Sequence, residues 1–356
     1  MIVAGGGTGG HLFPGLAVAE SLGEGDAALF IGSAVGIEAR VIPGTRFPFR
    51  ALKVHGVRGR GWRGGVEFIA QIPVALRQAG RALSDFGADV VLGVGGYASF
   101  PAVVAAWMRG VPTVLLEQNA HPGMANRVLG RIASRVCTSF APAGAYFPAV
   151  KVVVAGNPVR ALAQASPVER VGGVGLLVFG GSQGASSINH AMCDAAQRLK
   201  GSIAGLRIVH QTGVGAADAV RDCYRRLGVD AEVHEFIEDM GAAYSAADLV
   251  VCRAGATTLA ELALLGKAAV LVPYPLAADD HQRSNAEVVV AAGAARMVLD
   301  ADLSGERLAS EVEGLLGAPE VLENMAGFSL SLAVPDAAQR VVGICRSLIG
   351  ERERDE

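Results

Sequence analysis

The chain is poor in charge and in cysteine, and it lacks the patterns that mark metal sites and acyl-enzyme nucleophiles. Charged residues make up 18% of its 356 positions and hydrophobic residues 51%, with a positive mean hydropathy, which makes this a globular chain. The five cysteines (Cys137, Cys193, Cys223, Cys252 and Cys345) are scattered without a C-x-x-C pair. That spacing argues against a disulfide framework and a zinc site, and for a reducing compartment. There is no H-E-x-x-H and no nucleophile elbow. No basic segment followed by an apolar core opens the chain, so no signal peptide is expected. The long uncharged stretch from Val90 to Met108 imitates a membrane span. Gly93, Gly95, Gly96, Ser99 and Pro101 punctuate it, however, and strand–loop–helix is the better reading.

What is present is organised in two halves. The length suggests about two domains, each large enough for its own core. Charge divides unevenly between them. Residues 1–160 carry a net of +7 and residues 161–356 a net of −10, within an overall −3. The basic half should prefer an anionic partner or surface.

A glycine turn follows an apolar run at the middle of the chain, Leu176-Leu-Val-Phe-Gly-Gly-Ser-Gln-Gly-Ala185, and helical spacing follows the turn. Such a loop lets backbone N–H groups and a helix N-terminus face a phosphate. The same grammar opens the chain, where Ile2-Val-Ala4 runs into Gly5-Gly-Gly-Thr-Gly-Gly-His11. Strands and helices alternate through both halves, which predicts parallel sheets covered on both faces. A hinge is expected over Ala161–Gly173. Gly5, Gly7 and Gly10 satisfy G-x-G-x-x-G, but a dinucleotide site also wants an acid closing the second strand, and Gly32-Ser33 stands there. An NAD-dependent oxidoreductase is set aside on that ground.

Further segments carry candidate chemistry. Gly93-Val-Gly-Gly-Tyr97 is a third glycine turn, and Glu117-Gln-Asn119 closes a buried strand. In the second half Arg253-Ala-Gly-Ala-Thr-Thr-Leu-Ala-Glu261 leaves a strand and opens a helix. Thr258 and Glu261 have capping-box spacing; alternatively the carboxylate holds a ribose diol while the helix start faces a diphosphate. Asp280-His-Gln282 lies in a polar loop suited to sugar hydroxyls. His11 reads either as a capping histidine or as a general base. Asp300-Ala-Asp302 spells the D-x-D of metal-dependent glycosyltransferases and is discounted as a chance match. Val57-Arg-Gly-Arg-Gly-Trp-Arg63 precedes an apolar helix from Val66 to Leu83, which Pro73 is expected to kink or interrupt. This region reads either as a packed helix with a basic edge or as a membrane-surface patch with Trp62 and Phe68 inserting.

Taken in order with Gly156-Asn-Pro-Val-Arg160 and Phe236-Ile237, these motifs resemble the MurG family of UDP-N-acetylglucosamine:lipid-linked muramoyl-pentapeptide N-acetylglucosaminyltransferases, nearly end to end. The resemblance implies an α/β GT-B fold of two Rossmann-like domains facing across a cleft. The N-terminal one comprises residues 1–160, with a C-terminal helix of about 337–356 returning to it, and the other comprises residues 161–336. UDP-GlcNAc would lie on the second domain, with uracil near Ile237 and ribose on Glu261. Ser182, Gln183, Arg160 and the turn Ala256, Thr257, Thr258, continuing into Leu259 and Ala260, would hold the phosphates, and Gln282 would read the sugar. Thr8, Gly9, Gly10, Tyr97 and Asn119 would contribute from the first domain, whose glycine loops would take the acceptor diphosphate. The implied reaction inverts the anomeric centre, with His11 as base and Glu117 as the alternative, and needs no cofactor or metal. Implied partners are the undecaprenyl-diphosphate-linked muramoyl-pentapeptide and the anionic cytoplasmic face of the membrane, with no nucleic acid. Many relatives carry His before Glu-Gln-Asn where this chain has Leu116, which shifts weight to His11. Two alternatives stand beside this one: a GT-B enzyme with a different lipid acceptor, and a non-catalytic nucleotide-sugar binder.

Overall fold

The computed structural model describes residues 1–54, 61–160, 173–181 and 183–355, with the backbone alone at 61–70, 353 and 355. The chain divides into two compact units, Met1–Arg160 with Val334–Glu356, and Ala161–Ala333. Residues 161–172, where most of the expected hinge falls, lie outside the described residues, as does Ser182.

The first unit has seven parallel strands: β1 (Ile2–Ala4), β2 (Leu29–Ser33), β3 (Phe49–Leu52), β4 (Val91–Gly93), β5 (Thr113–Glu117), β6 (Arg135–Thr138) and β7 (Val152–Val154). Their order is β3-β2-β1-β4-β5-β6-β7. Side chains alternate across a strand, so Ile2 and Ala4 enter one core cluster while Val3 enters the other. Helix α1 (Gly9–Glu20) covers the Val3 face together with the terminal helix Ala337–Asp355, which contributes Ala338, Val341, Val342, Cys345 and Leu348. Burial of the Val341, Val342 and Leu348 side chains stabilises the unit by roughly 1.5–3 kcal/mol each. Gly15 lets α1 lie close to the sheet, since a Cβ there would come within 2.9 Å of both Val3 and Val94. The remaining helices are α2 (Glu38–Val41), α3 (Gly61–Phe86), α4 (Ser99–Trp107) and α5 (Met124–Leu129). The expected break at Pro73 is not an interruption: α3 runs through it without a gap. The stretch 90–108 is strand, loop and helix, and among the described residues no helix is long and apolar enough to cross a membrane.

The second unit repeats the plan with six parallel strands: β8 (Val174–Phe179), β9 (Leu206–Gln211), β10 (Ala231–His234), β11 (Leu249–Cys252), β12 (Ala269–Leu271) and β13 (Ala295–Met297). Their order is β10-β9-β8-β11-β12-β13. Its helices are α6 (Ser186–Ser202), α7 (Ala217–Leu227), α8 (Met240–Ala246), α9 (Ala256–Leu264), α10 (His281–Ala291), α11 (Gly305–Leu316) and α12 (Pro319–Ser331). Leu176, Val178, Ile208 and Val251 pack with residues of α6, α7 and α11. Leu177, Val250 and Leu271, of opposite parity, are also fully buried, so both faces are covered.

Candidate active site

In each sheet the strand order reverses once, between β1 and β4 in the first unit and between β8 and β11 in the second. Loops that leave neighbouring strands in opposite directions open a crevice at the carboxyl ends, where open α/β sheets bind ligands. All four flanking loops are segments already marked by sequence: Gly5–Gly10, Val94–Tyr97, Gly180–Ala185 and Arg253–Thr258.

In the first unit the two loops touch backbone to backbone. Gly5, Gly6 and Gly7 have φ of 143°, 138° and 87°, and Gly95 and Gly96 have 96° and 76°, a region that L side chains avoid. Gly6 N–H donates to the Gly95 carbonyl at 3.4 Å, and a Cβ on Gly96 would overlap the Gly6 carbonyl. The carboxylate of Glu38, buried in α2, accepts from Gly7 N–H at 2.8 Å and from Ser33 N–H at 2.7 Å. An acid therefore does serve this loop, five residues beyond the strand end where a dinucleotide fold would carry it, and it binds backbone rather than ribose.

Helix α1 begins at Gly9 with Thr8 as N-cap, so His11 sits in the first turn. Its Nδ1 lies 3.3 Å from the Gly6 carbonyl and 3.2 Å from Thr8 Oγ1. A proton on Nδ1 donated to that carbonyl makes Nε2 the basic nitrogen. The ring packs on Gly95, where a Cβ would lie 2.9 Å from Cδ2, and the phenol of Tyr97 comes up beside Gly7.

Glu117 is buried at the end of β5, and four N–H groups converge on it. Oε1 accepts from Asn119 N–H at 2.9 Å and Asn119 Nδ2 at 3.3 Å; Oε2 accepts from Asn126 Nδ2 at 2.9 Å and Gly123 N–H at 3.2 Å. Burial raises its pKa, while the four donors act in the opposite direction. With both oxygens occupied, the carboxylate shapes the loop that presents Asn119. Leu116 is fully buried in the apolar cluster of α1 and the terminal helix. Arg160 pairs with Glu20, at 3.1 Å and on the surface.

In the second unit α9 begins at Ala256 with Gly255 as N-cap and no side-chain cap. The capping-box alternative is therefore not realised. Its first-turn N–H groups, at Ala256, Thr257 and Thr258, face outward along the helix axis, as an anion requires. Glu261, Leu259 and Ala260 follow within two turns. Glu261 Oε2 accepts a 2.8 Å hydrogen bond from Tyr244, whose buried ring stacks edge-on to Phe179 at 5.9 Å. Burial raises the Glu261 pKa, and the Tyr244 hydroxyl partly offsets this. Gln282 Oε1 accepts from Ala254 N–H at 3.2 Å and Tyr274 N–H at 2.9 Å, so its NH₂ is the end that can donate to a ligand. Gln183 is exposed in the glycine loop, and Ile237 is buried beside the exposed Phe236.

Asp300, discounted in the sequence, is not idle. It accepts from Arg253 NH1 at 2.5 Å and from Ser187 Oγ at 2.7 Å. Among the described residues no cluster of His, Cys, Asp or Glu is arranged to hold a metal ion. Tyr244, Glu38 and Asn126 carry no local motif, and the D-x-D spelling at Asp300 does not point to its partner; each is tied to its partner across 9 to 47 residues.

Two doubly wound units of this kind, with glycine-rich loops and helix starts at both switch points, make up the GT-B fold of glycosyltransferases. Residues 1–138 match the glycosyltransferase family 28 N-terminal domain and residues 175–341 its C-terminal domain. A UDP-N-acetylglucosamine--N-acetylmuramyl-(pentapeptide) pyrophosphoryl-undecaprenol N-acetylglucosamine transferase of Syntrophus aciditrophicus (strain SB) is 47% identical over 98% of each chain. The protein of the same description from Myxococcus xanthus (strain DK1622) is 45% identical over 98% of this chain and 93% of its own. The crystal structure of Acinetobacter baumannii MurG superposes with a TM-score of 0.82 at 33% identity, covering 97% of this chain and 98% of that one. The chain belongs to the MurG family.

Proposed function

We infer that this glycosyltransferase moves N-acetylglucosamine from UDP-GlcNAc to the 4-hydroxyl of an undecaprenyl-diphosphate-linked muramoyl-pentapeptide, a step of peptidoglycan synthesis. The observation that carries the donor side is the pairing of an uncapped helix start, Ala256–Thr258, with the Glu261 carboxylate and the Gln282 amide. The diphosphate meets the α9 N–H groups, Glu261 Oε1 accepts the ribose hydroxyls while Tyr244 holds Oε2, and Gln282 donates to the sugar. Ile237 lines the uracil, and Ser182, Gln183 and Arg160 belong to the phosphate side of this reading. The relatives carry the acceptor, since their names specify this transfer.

The acceptor diphosphate is assigned to the all-backbone glycine loops of the first unit, with Thr8, Gly9, Gly10, Tyr97 and Asn119 around it. In the chemical step the hydroxyl oxygen attacks C1 of GlcNAc, the C1–O bond to the diphosphate breaks with inversion, and UDP leaves. His11 Nε2 takes the hydroxyl proton. Charge developing on the leaving diphosphate is met by N–H dipoles in place already before reaction, so no metal is required. Glu117 fixes Asn119 and takes no proton.

The enzyme is further proposed to work at the cytoplasmic face of an anionic membrane as a peripheral protein. Trp107 and Met108, 54% and 66% exposed where α4 ends, next to Arg109, supply an amphipathic, basic contact. Trp62 and Phe68 lie where side chains are not described.

The deciding experiment is transfer from labelled UDP-GlcNAc to a short-chain lipid-linked muramoyl-pentapeptide with a chelator present. A disaccharide product is expected. Donor binding without product would favour a different lipid acceptor, and product only on restoring a divalent ion would overturn the metal-free step.

A further inference from the structure

We propose that Asp300 is a positioning residue for the donor: through Arg253 and Ser187 it locks together the two loops that flank the switch point of the second unit. The proposal rests on the reading that this unit holds the nucleotide sugar. Arg253 is the first residue after β11 and is 8% exposed, and its guanidinium is spent inside the protein. NH1 donates to the Val272 and Pro273 carbonyls, each at 3.1 Å, and to Asp300 Oδ1 at 2.5 Å. NH2 donates to Ser187 Oγ at 2.9 Å, and that hydroxyl donates onward to the same Asp300 oxygen at 2.7 Å. The Tyr274 ring lies 5.4 Å from the guanidinium carbon.

Each contact belongs to a different wall of the crevice. Ser187 is the second residue of α6, immediately after the glycine loop Gly180–Ala185. Arg253 directly precedes Ala254, whose N–H is held by Gln282 and whose carbonyl accepts from Asn285 Nδ2 at 3.2 Å. Val272 and Pro273 follow directly on β12 and begin the loop that leads to Gln282. One ion pair therefore sets the spacing between the glycine loop, the α9 turn and the sugar-reading glutamine. A buried guanidinium needs a carboxylate partner, and its planar fork fixes the angle between the elements it bridges. Because Asp300 already neutralises it, Arg253 is not a free cation for the diphosphate.

The test is Asp300→Asn, assayed in the full-length enzyme alongside Asp300→Glu and Ser187→Ala, with direct calorimetric titration of UDP-GlcNAc. Asn keeps the shape and one acceptor but removes the charge. The expected result is a donor KM raised about tenfold, the value of one charge-assisted hydrogen bond, with kcat and acceptor KM within about twofold. Asp300→Glu should recover most of the donor affinity, and Ser187→Ala should raise donor KM severalfold with the ion pair intact. A lower donor KM in Asp300→Asn would show a released arginine grasping the diphosphate and would overturn the proposal. So would rescue of Asp300→Asn by divalent metal. Should Asp300→Asn not fold, Ser187→Ala decides, and an unchanged donor KM there rejects the lock. If the unaltered enzyme gave no heat with UDP-GlcNAc, the donor reading itself would fall; intact binding in all three variants would reject the positioning role alone.

Discussion

The two switch points share one topology but present different surfaces. In the first unit the crevice is walled by Gly5–Gly7, Gly95 and Gly96, whose positive φ values expose backbone, and a nearby acid, Glu38, is consumed in bracing it. In the second unit the crevice loops carry polar side chains instead, exposed at Gln183 and half-buried at Thr258, Glu261 and Gln282. Charge follows the same division, +6 over the first unit (residues 1–160 and 334–356) against −9 over the second (residues 161–333). A backbone surface suits a diphosphate whose remaining substituents vary, whereas side chains at fixed spacing discriminate one nucleotide sugar. The comparison teaches that a doubly wound unit sets only the place of a site. What the site recognises is decided by a few residues where the loops enter their helices.

The largest effect expected on that contrast comes from His11, the side chain proposed as base in the backbone-lined crevice. His11→Ala should lower kcat by about 10²–10⁴-fold, the usual contribution of a general base. UDP-GlcNAc affinity should stay within a fewfold by calorimetry. Loss of donor binding instead would make His11 a binding residue and dissolve the division of labour. Glu261→Ala is the complementary test on the other unit. It should raise donor KM by about 10–100-fold, as loss of hydrogen bonds to a charged group does, with a smaller change in kcat. The carboxylate must be ionised to accept two hydroxyls, and burial has raised its pKa. Donor KM should therefore rise as pH falls through that raised value. A pH-independent donor KM, or an unaltered KM in the variant, would remove Glu261 from the ribose.

Most of the frame within which these residues act is legible in the sequence, because it is local. Glycine runs following apolar runs mark the switch-point loops, and alternation marks the parallel sheets. Short edge strands are harder: β3 and β13, of four and three residues, have neither the length nor the apolar run to stand out. Helix α12 escapes for another reason, since its Pro319 start reads as a turn until one sees it at the first helical position, where proline is tolerated. The bracing partners are not legible at all. Tyr244 reaches Glu261 across 17 residues and Arg253 reaches Asp300 across 47, and no spacing rule relates them.

A smaller effect separates holding from proton transfer at Glu117. Glu117→Gln would replace one acceptor oxygen by NH₂ and set donor against donor at Gly123 N–H and Asn126. A holding role predicts acceptor KM raised severalfold and a lower Tm, with buried donors costing about 1–3 kcal/mol each when unmet. Donor KM should not move. A collapse of kcat with unchanged Tm and acceptor KM would instead make Glu117 the base.

The smallest effect concerns how each glycine loop is braced from beneath. The first unit uses a charged group, Glu38. The second uses a neutral relay: Tyr224 O–H donates to His210 Nδ1 at 2.7 Å, His210 Nε2–H donates to Asn189 Oδ1 at 3.1 Å, and Asn189 Nδ2 donates to the Thr212 carbonyl at 3.0 Å. That carbonyl abuts Gly184 of the glycine loop, where a Cβ would overlap it. Burial pushes the His210 pKa down to about 4 from the ordinary 6.5. Between those two values the unfolded chain binds a proton that the folded protein refuses, so stability falls as pH falls through this window. The full loss is about 3 kcal/mol, of which about 2 kcal/mol is incurred by pH 5. Urea unfolding of the second unit at pH 7 and pH 5 should show that loss in the natural protein and a markedly flatter dependence in His210→Gln. Equal slopes in the two proteins would mean that His210 accepts its proton while folded, and that the second loop, like the first, is braced by charge.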